Sequence, residues 1–182
     1  MKKYSVSLMA GFLLIFMGLS MPSLKAQDGD KIDKLTADAK EARSQFVSTD
    51  NLMESLFNSS AGYVIFPNVG KGAIGVGGAA GNGIVFQKGN AIGSAKMKQV
   101  SVGFQFGGQA YREVIFFQDQ AALNRFKQNK FEFSAQASAV AVTKGASTNV
   151  KYRNGVLVFT QEKGGLMYEA SIGGQKFSYK PL

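Results

Sequence analysis

Hydrophobic residues recur every three to four positions before Ala61 and at alternate positions after it, which indicates a change from helix to strand at one point. Before that point, residues 30–46 show a helical period. Its apolar members are Ile32, Leu35, Ala39, Ala42 and Phe46. A second short helix is predicted to begin at Ser48 or Thr49 and to carry Leu52, Met53, Leu56 and Phe57.

Three acidic residues, Asp28, Asp30 and Asp33, precede or open the first predicted helix. Carboxylates at this end complement the helix dipole and cap free N–H groups, so we expect them at the helix start. A calcium loop is the competing interpretation. It is disfavoured because Ala39 stands twelfth from Asp28, where a bidentate glutamate is needed.

After Ala61, the period of two predicts strands of an antiparallel sheet. The strand-like runs lie at 64–66, 100–106, 114–117, 131–142, 155–161, 165–172 and 176–179, and turn signals lie at 81–82, 88–90, 154–155, 164–165 and 173–174. One interruption, 119–127, is predicted as a helix with Asp119 as its N-cap. The predicted fold is α+β: N-terminal helices followed by a large antiparallel β-sheet, sandwich or barrel-like, with one short inserted helix.

Glycines are densest at 68–83, which reads NVGKGAIGVGGAAGNG and includes a relaxed dinucleotide fingerprint. No helix is predicted after it, and no Asp or Glu occurs between Glu54 and Glu113 to hold a ribose. A P-loop is also disfavoured, because Gly72 follows Lys71 where Ser or Thr is required. We therefore predict no nucleotide site. Instead, a backbone or an aromatic ring is expected close over these strands, although a shallow groove for an acyl chain or a partner stays open.

Residues 1–26 have the order of a secretory leader: Lys2 and Lys3, then an apolar run, then a small residue, Ala26. An uncleaved anchor is the alternative. The predicted organisation is a signal peptide over 1–26, a helical segment over 27–60 and a β-rich domain over 61–182 that forms one globular unit with the helical segment. We expect the protein to be exported to the periplasm or cell envelope, soluble or peripheral to a membrane.

The chain contains neither histidine nor cysteine, so two of the usual general bases, nucleophiles and metal ligands are missing. Glu113, Asp119, Glu132, Glu162 and Glu169 form no recognisable glycosidase motif. A Ser-Lys hydrolase is the remaining enzymatic alternative, and it would need a cleft in which Lys, Ser and a carboxylate converge. We predict no enzyme activity, no metal site and no cofactor.

Positive charge dominates the middle of the chain. From Ser55 to Arg112 the charged residues are Lys71, Lys88, Lys96, Lys98 and Arg112, without a carboxylate among them. Gathered on one rim of the sheet, they would contact an anionic lipid surface. The competing interpretation is that they are solubilising charges at strand ends and turns. The formal net charge of +9 falls to about +6 without Lys2, Lys3 and Lys25, and it favours lipid or polysaccharide over nucleic acid.

Several ordered blocks resemble the SYLF family, also described as the yeast actin-patch type of lipid-binding domain. They are AGYVIFPNVGKGAIGVGGAAGNGIVFQKG, VSVGFQFGGQAYREVIFF, FEFSAQASAVAV and GLMYEASIGGQKFSY, within 61–182. The resemblance is closest to the exported bacterial branch, and it implies a non-enzymatic domain that binds phosphoinositide-like or other acidic headgroups. The alternative is a structural or partner-binding envelope protein without lipid specificity.

Overall fold

The computed structural model describes residues 24–74, 76–102, 109–134, 138–163 and 170–182. Within these residues there are three helices and eight strands. The helices are α1 (Leu24–Thr49), α2 (Met53–Ser59) and α3 (Gln120–Lys127). The strands are β1 (Gly62–Ile74), β2 (Val76–Gln87), β3 (Asn90–Val102), β4 (Gln109–Phe117), β5 (Ser138–Ala141), β6 (Val156–Glu162), β7 (Ala170–Ser171) and β8 (Gln175–Pro181).

The helices follow the predicted periods, but two boundaries differ. α1 begins at Leu24, so Asp28, Asp30 and Asp33 lie beyond its first turn and the expected acidic helix start is wrong. α1 also continues to Thr49, and the next helix begins only at Met53. The prediction for α3 is confirmed, because Asp119 Oδ1 accepts a hydrogen bond of 2.7 Å from the N–H of Ala122. The predicted leader lies outside the described residues except for Leu24 to Ala26 in α1.

The eight strands form one sheet in the order β7-β5-β6-β4-β1-β2-β3-β8. The α+β prediction is confirmed, and every pair is antiparallel except β5 with β6, which is parallel. β7 and β8 lie at opposite ends of this order, yet only residues 172–174 separate them. A flat sheet would hold them roughly 34 Å apart, whereas the connection spans roughly 14 Å at most. The sheet is therefore strongly curled.

The inner face of the curled sheet and half of its outer face are buried, each against different helices. The inner face packs on α3 through a cluster that includes Phe66, Phe117, Phe126, Phe133 and Phe177. The outer face packs on α1 and α2 through a second cluster that includes Phe46, Phe57, Phe86, Phe116 and Phe159. Because successive residues of a strand point to opposite faces, β4 contributes Ile115 and Phe117 to the inner cluster and Val114 and Phe116 to the outer one.

The glycine-rich segment forms most of β1 and β2, and the predicted turn at Gly81 and Asn82 is wrong. Both residues lie inside β2, where Gly81 pairs with Val69 and Asn82 pairs with Asn68. The expected close approach is confirmed at Gly83. A Cβ there would lie 2.6 Å from the carbonyl oxygen of Ile65 and 2.7 Å from the ring of Phe66. Turn-type residues are used here for close packing rather than for chain reversal.

Three other predicted turns are confirmed by left-handed backbone, including the one at 173–174, where Gly174 has φ 73°. Lys88 and Gly89 (φ 51° and 79°) join β2 to β3, and Asn154 and Gly155 (φ 51° and 79°) precede β6. Positive φ at two successive residues is typical of a tight hairpin turn. The turn signal at 164–165, together with the predicted strand residues 103–106 and 165–169, lies outside the described residues.

The predicted strand over 131–142 is not continuous in the described residues. Phe133 exchanges backbone hydrogen bonds with Gly174 and Gln175 beside β8, whereas Ser138–Ala141 pairs with β6. The rings of Phe131 and Phe133 lie 5.9 and 5.6 Å from the ring of Phe177, which holds this part of the chain against β8. Ala135 and Ala137, which also belong to this predicted strand, lie outside the described residues.

Candidate functional site

The outer face of the sheet is covered over one half and exposed over the other. α1 and α2 pack on β6, β4, β1 and the second half of β2. Farther along the sheet, burial alternates from Ala95 to Val100 of β3 and from Gln175 to Lys180 of β8. The residues buried on the inner face are Ala95, Met97, Gln99, Gln175 and Phe177. The residues between them point to the outer face, and four of these are exposed lysines. We call this surface the lysine face: Lys96, Lys98, Lys176 and Lys180.

The pairing of β3 with β8 places two positive charges directly opposite each other. Lys98 pairs with Lys176, and Lys96 pairs with Ser178. Like charges at directly opposite positions destabilise an antiparallel pair, so this arrangement costs stability in the free protein. Glu132 lies 3.6 Å from Lys176, but both side chains are more than half exposed, and such a pair is worth little. The lysine face is therefore positive and only partly compensated.

A shallow hollow of about 210 Å³ borders the lysine face on β1 and β2. It is lined by Asn68, Ala80, Gly81, Asn82, Lys96, Met97 and Lys98. The ammonium group of Lys163 donates a hydrogen bond to Asn68 Oδ1 and adds a further cation at this border. Ammonium and amide N–H groups are the donors that an anionic oxygen requires, so the hollow and the lysine face together could receive an acidic headgroup.

An exposed apolar side chain lies next to these lysines on the same strand. Val100 follows Lys98 by two positions, so it points to the same face, and 73% of its surface is exposed. Single exposed apolar residues are common on protein surfaces, and this one gains interest only from its lysine neighbours. A cationic surface with one apolar side chain can contact both the headgroups and the upper acyl region of a bilayer.

The five basic residues predicted as a lipid-binding rim are not all brought together. Lys96 and Lys98 share the lysine face. Lys71 pairs with inward-pointing Ala79, so it lies on the inner face and is half-buried. Lys88 occupies the β2–β3 turn, and Arg112 donates from NH1 to Gln161 Oε1 at 3.3 Å on β4.

Lys176 and Lys180 are not among the predicted residues, because the prediction rests on the carboxylate-free stretch, which ends at Arg112. Their spacing in QKFSYKP gives a usable signal, since alternate residues of a strand share one face. No local pattern in the sequence indicates that β8 lies beside β3. That pairing joins residues about 80 positions apart and decides which lysines meet.

A larger cleft of about 790 Å³ contains the residue types that a Ser-Lys hydrolase would need. Glu132, Ser134, Ser138 and Lys151 all line it. Within the described ranges, no hydrogen bond joins either serine to Lys151 or Glu132, and Glu132 pairs with Lys176 instead. A nucleophile must lie within hydrogen-bond reach of its base, so the cleft holds these residues without assembling them. The absence of enzyme activity stays a prediction.

Neither a metal site nor a membrane-spanning helix is found among the residues that the structure describes. They contain no group of three or more acidic, histidine or cysteine residues that could hold a metal ion. None of the helices described is both long and apolar enough to cross a bilayer.

Comparison with known proteins bears on the C-terminal half of the chain. Residues 98–180 match the model of the Ysc84 family, described as Las17-binding protein actin regulator, and this confirms the SYLF resemblance over those residues. Beta cell expansion factor A of Aeromonas veronii is 29% identical over 82 residues, which are 45% of this chain and 31% of that protein. The chain thus spans less than a third of this relative. The matched segment contains Lys98, Lys176 and Lys180, while β1 and β2 of the same sheet precede it.

Proposed function

Because residues 98–180 match the SYLF domain, we propose that the chain is a non-enzymatic module that binds anionic lipid surfaces peripherally through its lysine face. The observation that carries this proposal is the exposed, directly opposed pair of Lys98 and Lys176. An arrangement that costs stability in the free protein is relieved when an anion lies over both charges. The headgroup chemistry that fits is acidic, such as a phosphate of a phosphoinositide-like lipid.

Electrostatics give the expected strength of this contact. A basic residue near an anionic bilayer contributes about 1 kcal/mol, so the four lysines together contribute about 4 kcal/mol. Salt screens such attraction, and charges farther apart than the Debye length of about 10 Å at 0.1 M hardly attract each other. Contact of Val100 with the bilayer adds a smaller apolar contribution. The binding is therefore reversible and salt-sensitive.

Residues 1–26 support a location at the cell envelope, where this surface would meet acidic lipid from outside the cytoplasm. The described part of the chain offers the β3–β8 surface for that contact without a spanning helix. A second candidate function is the binding of a protein partner, which is favoured by the description of the matched family as a Las17-binding actin regulator.

Vesicle co-sedimentation tests the lipid proposal. Lys96→Ala with Lys98→Ala removes two charges from the lysine face, and Lys31→Ala with Lys34→Ala removes two exposed charges from α1 as a matched control. At about 1 kcal/mol per charge, the first pair is expected to weaken binding to vesicles containing phosphatidylserine roughly 30-fold, and the control pair is expected to change it little.

Two outcomes would count against this function. Equal binding to neutral phosphatidylcholine vesicles would remove the electrostatic basis, and equal losses in both variant pairs would remove the assignment to the lysine face. Absent vesicle binding, combined with cross-linking to one dominant protein in intact envelopes, would favour the partner-binding function instead.

A further inference from the structure

A carboxyl group lies fully buried on the inner face of β4. Glu113 is 0% exposed, and it lies in register between Phe66 of β1 and Thr160 of β6. Gln175 of β8 reaches it from across the curled sheet and donates from Nε2 to Glu113 Oε2 at 3.0 Å. Since β1, β2 and β3 separate β4 from β8 in the sheet order, this contact spans the interior.

Among the residues that the structure describes, no basic side chain forms an ion pair with Glu113. Tyr111 lies two residues away on the same strand: burial raises the pKa of its hydroxyl, an ionised Glu113 would raise it further, and a hydrogen bond with Gln175 lowers it. Glu162 pairs with Tyr111 and Lys71 pairs with Gln109, so their backbones lie two and four residues along the sheet from Glu113. β3 and β8 present the amides of Gln99 and Gln175. In α3, the guanidinium group of Arg125 donates a hydrogen bond to the carbonyl oxygen of Asn154. The ammonium group of Lys127 lies over the ring of Tyr179.

When Glu113 is ionised, two buried oxygen atoms have no hydrogen-bond donor. They are Glu113 Oε1 and Gln175 Oε1. Both are acceptors, so neither can satisfy the other, and a buried acceptor without a donor destabilises the folded state. One added proton changes this balance, because a protonated carboxyl is a donor as well as an acceptor.

We propose that Glu113 is protonated in the folded protein and forms a reciprocal acid–amide pair with Gln175 that clamps β4 to β8. The Gln175 Nε2 donates to Oε2 of Glu113, and the protonated Oε1 of Glu113 donates to Oε1 of Gln175. Gln175 Nε2 also lies 3.4 Å from Gln99 Oε1, while Gln99 Nε2 donates to the carbonyl of Gly173 at 3.1 Å. The clamp thereby fixes the β7–β8 turn as well as β8.

The clamp makes folding depend on pH in a defined direction. Burial raises the pKa of Glu113 from 4.5 to about 7, although the hydrogen bond from Gln175 opposes the rise. The folded state thus retains a proton that the unfolded state loses between these two values. Stability from this group is therefore full below about pH 4.5, falls as pH rises towards about 7, and levels off above it. Over that interval the folding equilibrium constant should fall by up to roughly 300-fold.

Denaturant unfolding between pH 5 and pH 8 tests the proposal with Glu113→Gln as the reference. A carboxamide has the shape of the protonated acid and can exchange both hydrogen bonds with Gln175 at any pH. Wild type is expected to lose stability relative to this variant as pH rises, and amide hydrogen exchange in β8 is expected to accelerate with it after correction for the intrinsic rate. Parallel stability curves for the two proteins would overturn the proposal.

Infrared spectroscopy of the wild type gives a second readout that does not require the variant to fold. At pH 6, a protonated Glu113 should give a carboxylic-acid carbonyl band. Carboxyl groups with ordinary pKa values are ionised at this pH and do not contribute to that band. It should disappear near pH 8 while the protein stays folded. A wild type without that band at pH 6 would contradict a protonated Glu113.

Discussion

The two halves of the outer face come from the same sheet and the same alternation, but they meet different surroundings. Over β6, β4 and β1 the outward residues are aromatic or branched, and α1 and α2 bury them. Over β3 and β8 the outward residues are mainly lysine and serine, and they stay exposed. The covered half stabilises the fold, whereas the lysine face is available for binding. Substitutions in the covered half should therefore lower stability. Substitutions in the lysine face should weaken binding and change stability little.

The largest expected effect comes from the covered half. Phe46 of α1 is 0% exposed within the outer cluster, so Phe46→Ala should lower the free energy of unfolding by about 3–5 kcal/mol. Val100→Ala, at an exposed position of the other half, should change it by less than about 0.5 kcal/mol. Urea unfolding measures both. Equal effects would mean that α1 does not hold the covered half together.

A smaller loss is expected where the helical layer is joined to the loop before β6. Asp50 is almost fully buried, yet it accepts hydrogen bonds from Ser147 N and Ser147 Oγ at 2.8 and 2.7 Å and from Leu52 N at 3.2 Å. Burial acts to raise the pKa of Asp50, but the hydrogen bonds, chiefly those from Ser147, outweigh it and lower the pKa below 3.8. Asp50 thus contributes stability above about pH 3.8 that is lost as pH falls further.

Asp50→Ala should accordingly lower the free energy of unfolding by about 1–3 kcal/mol at pH 7. Ser147→Ala, which removes one donor and leaves the backbone N–H, should cost less. Urea unfolding at pH 7 and at pH 3 measures both variants. A loss of the same size at the two pH values would contradict the importance of the charged form.

The smallest effect on stability is expected in the lysine face and has the opposite sign. Lys98→Ser removes the repulsion with Lys176 and should raise the free energy of unfolding by about 0.2–1 kcal/mol at low salt. Lys96→Ser, opposite Ser178, is the matched control and should have little effect. The gain should shrink in 1 M salt, where charges are screened. Thermal unfolding at two salt concentrations measures both variants. A Lys98→Ser protein that is less stable than wild type at low salt would contradict the repulsion between Lys98 and Lys176.

Sequence periodicity predicted the α+β class, the cap at Asp119 and the hairpin turns at Lys88 and Asn154, because each depends on residues close in the chain. It failed at Gly81, where a glycine and an asparagine resemble a turn although both residues pair with β1 inside β2, and where the crowding at Gly83 requires a strand residue without a side chain. It also failed over 131–142, since the rings of Phe131 and Phe133 pack beside β8 while Ser138–Ala141 joins β6.

The candidate site was predicted only in part for a related reason. Lys96 and Lys98 are two positions apart on one strand, so alternation alone places them on the same face. Lys71 was grouped with them by charge, although the parity of β1 turns it to the inner face. The opposed charge at Lys176 comes from long-range pairing, which a local pattern does not contain.

The most direct measurement of the central claim compares two charge reversals of equal net charge. Lys98→Glu with Lys176→Glu reverses the opposed pair, and Lys31→Glu with Lys34→Glu reverses two exposed lysines of α1. Their affinities for phosphatidylserine-containing vesicles are measured side by side at low salt. The lysine face predicts that the first protein loses detectable binding and that the second stays within a few-fold of wild type. Equal loss in both proteins, or retained binding in the first, would contradict it.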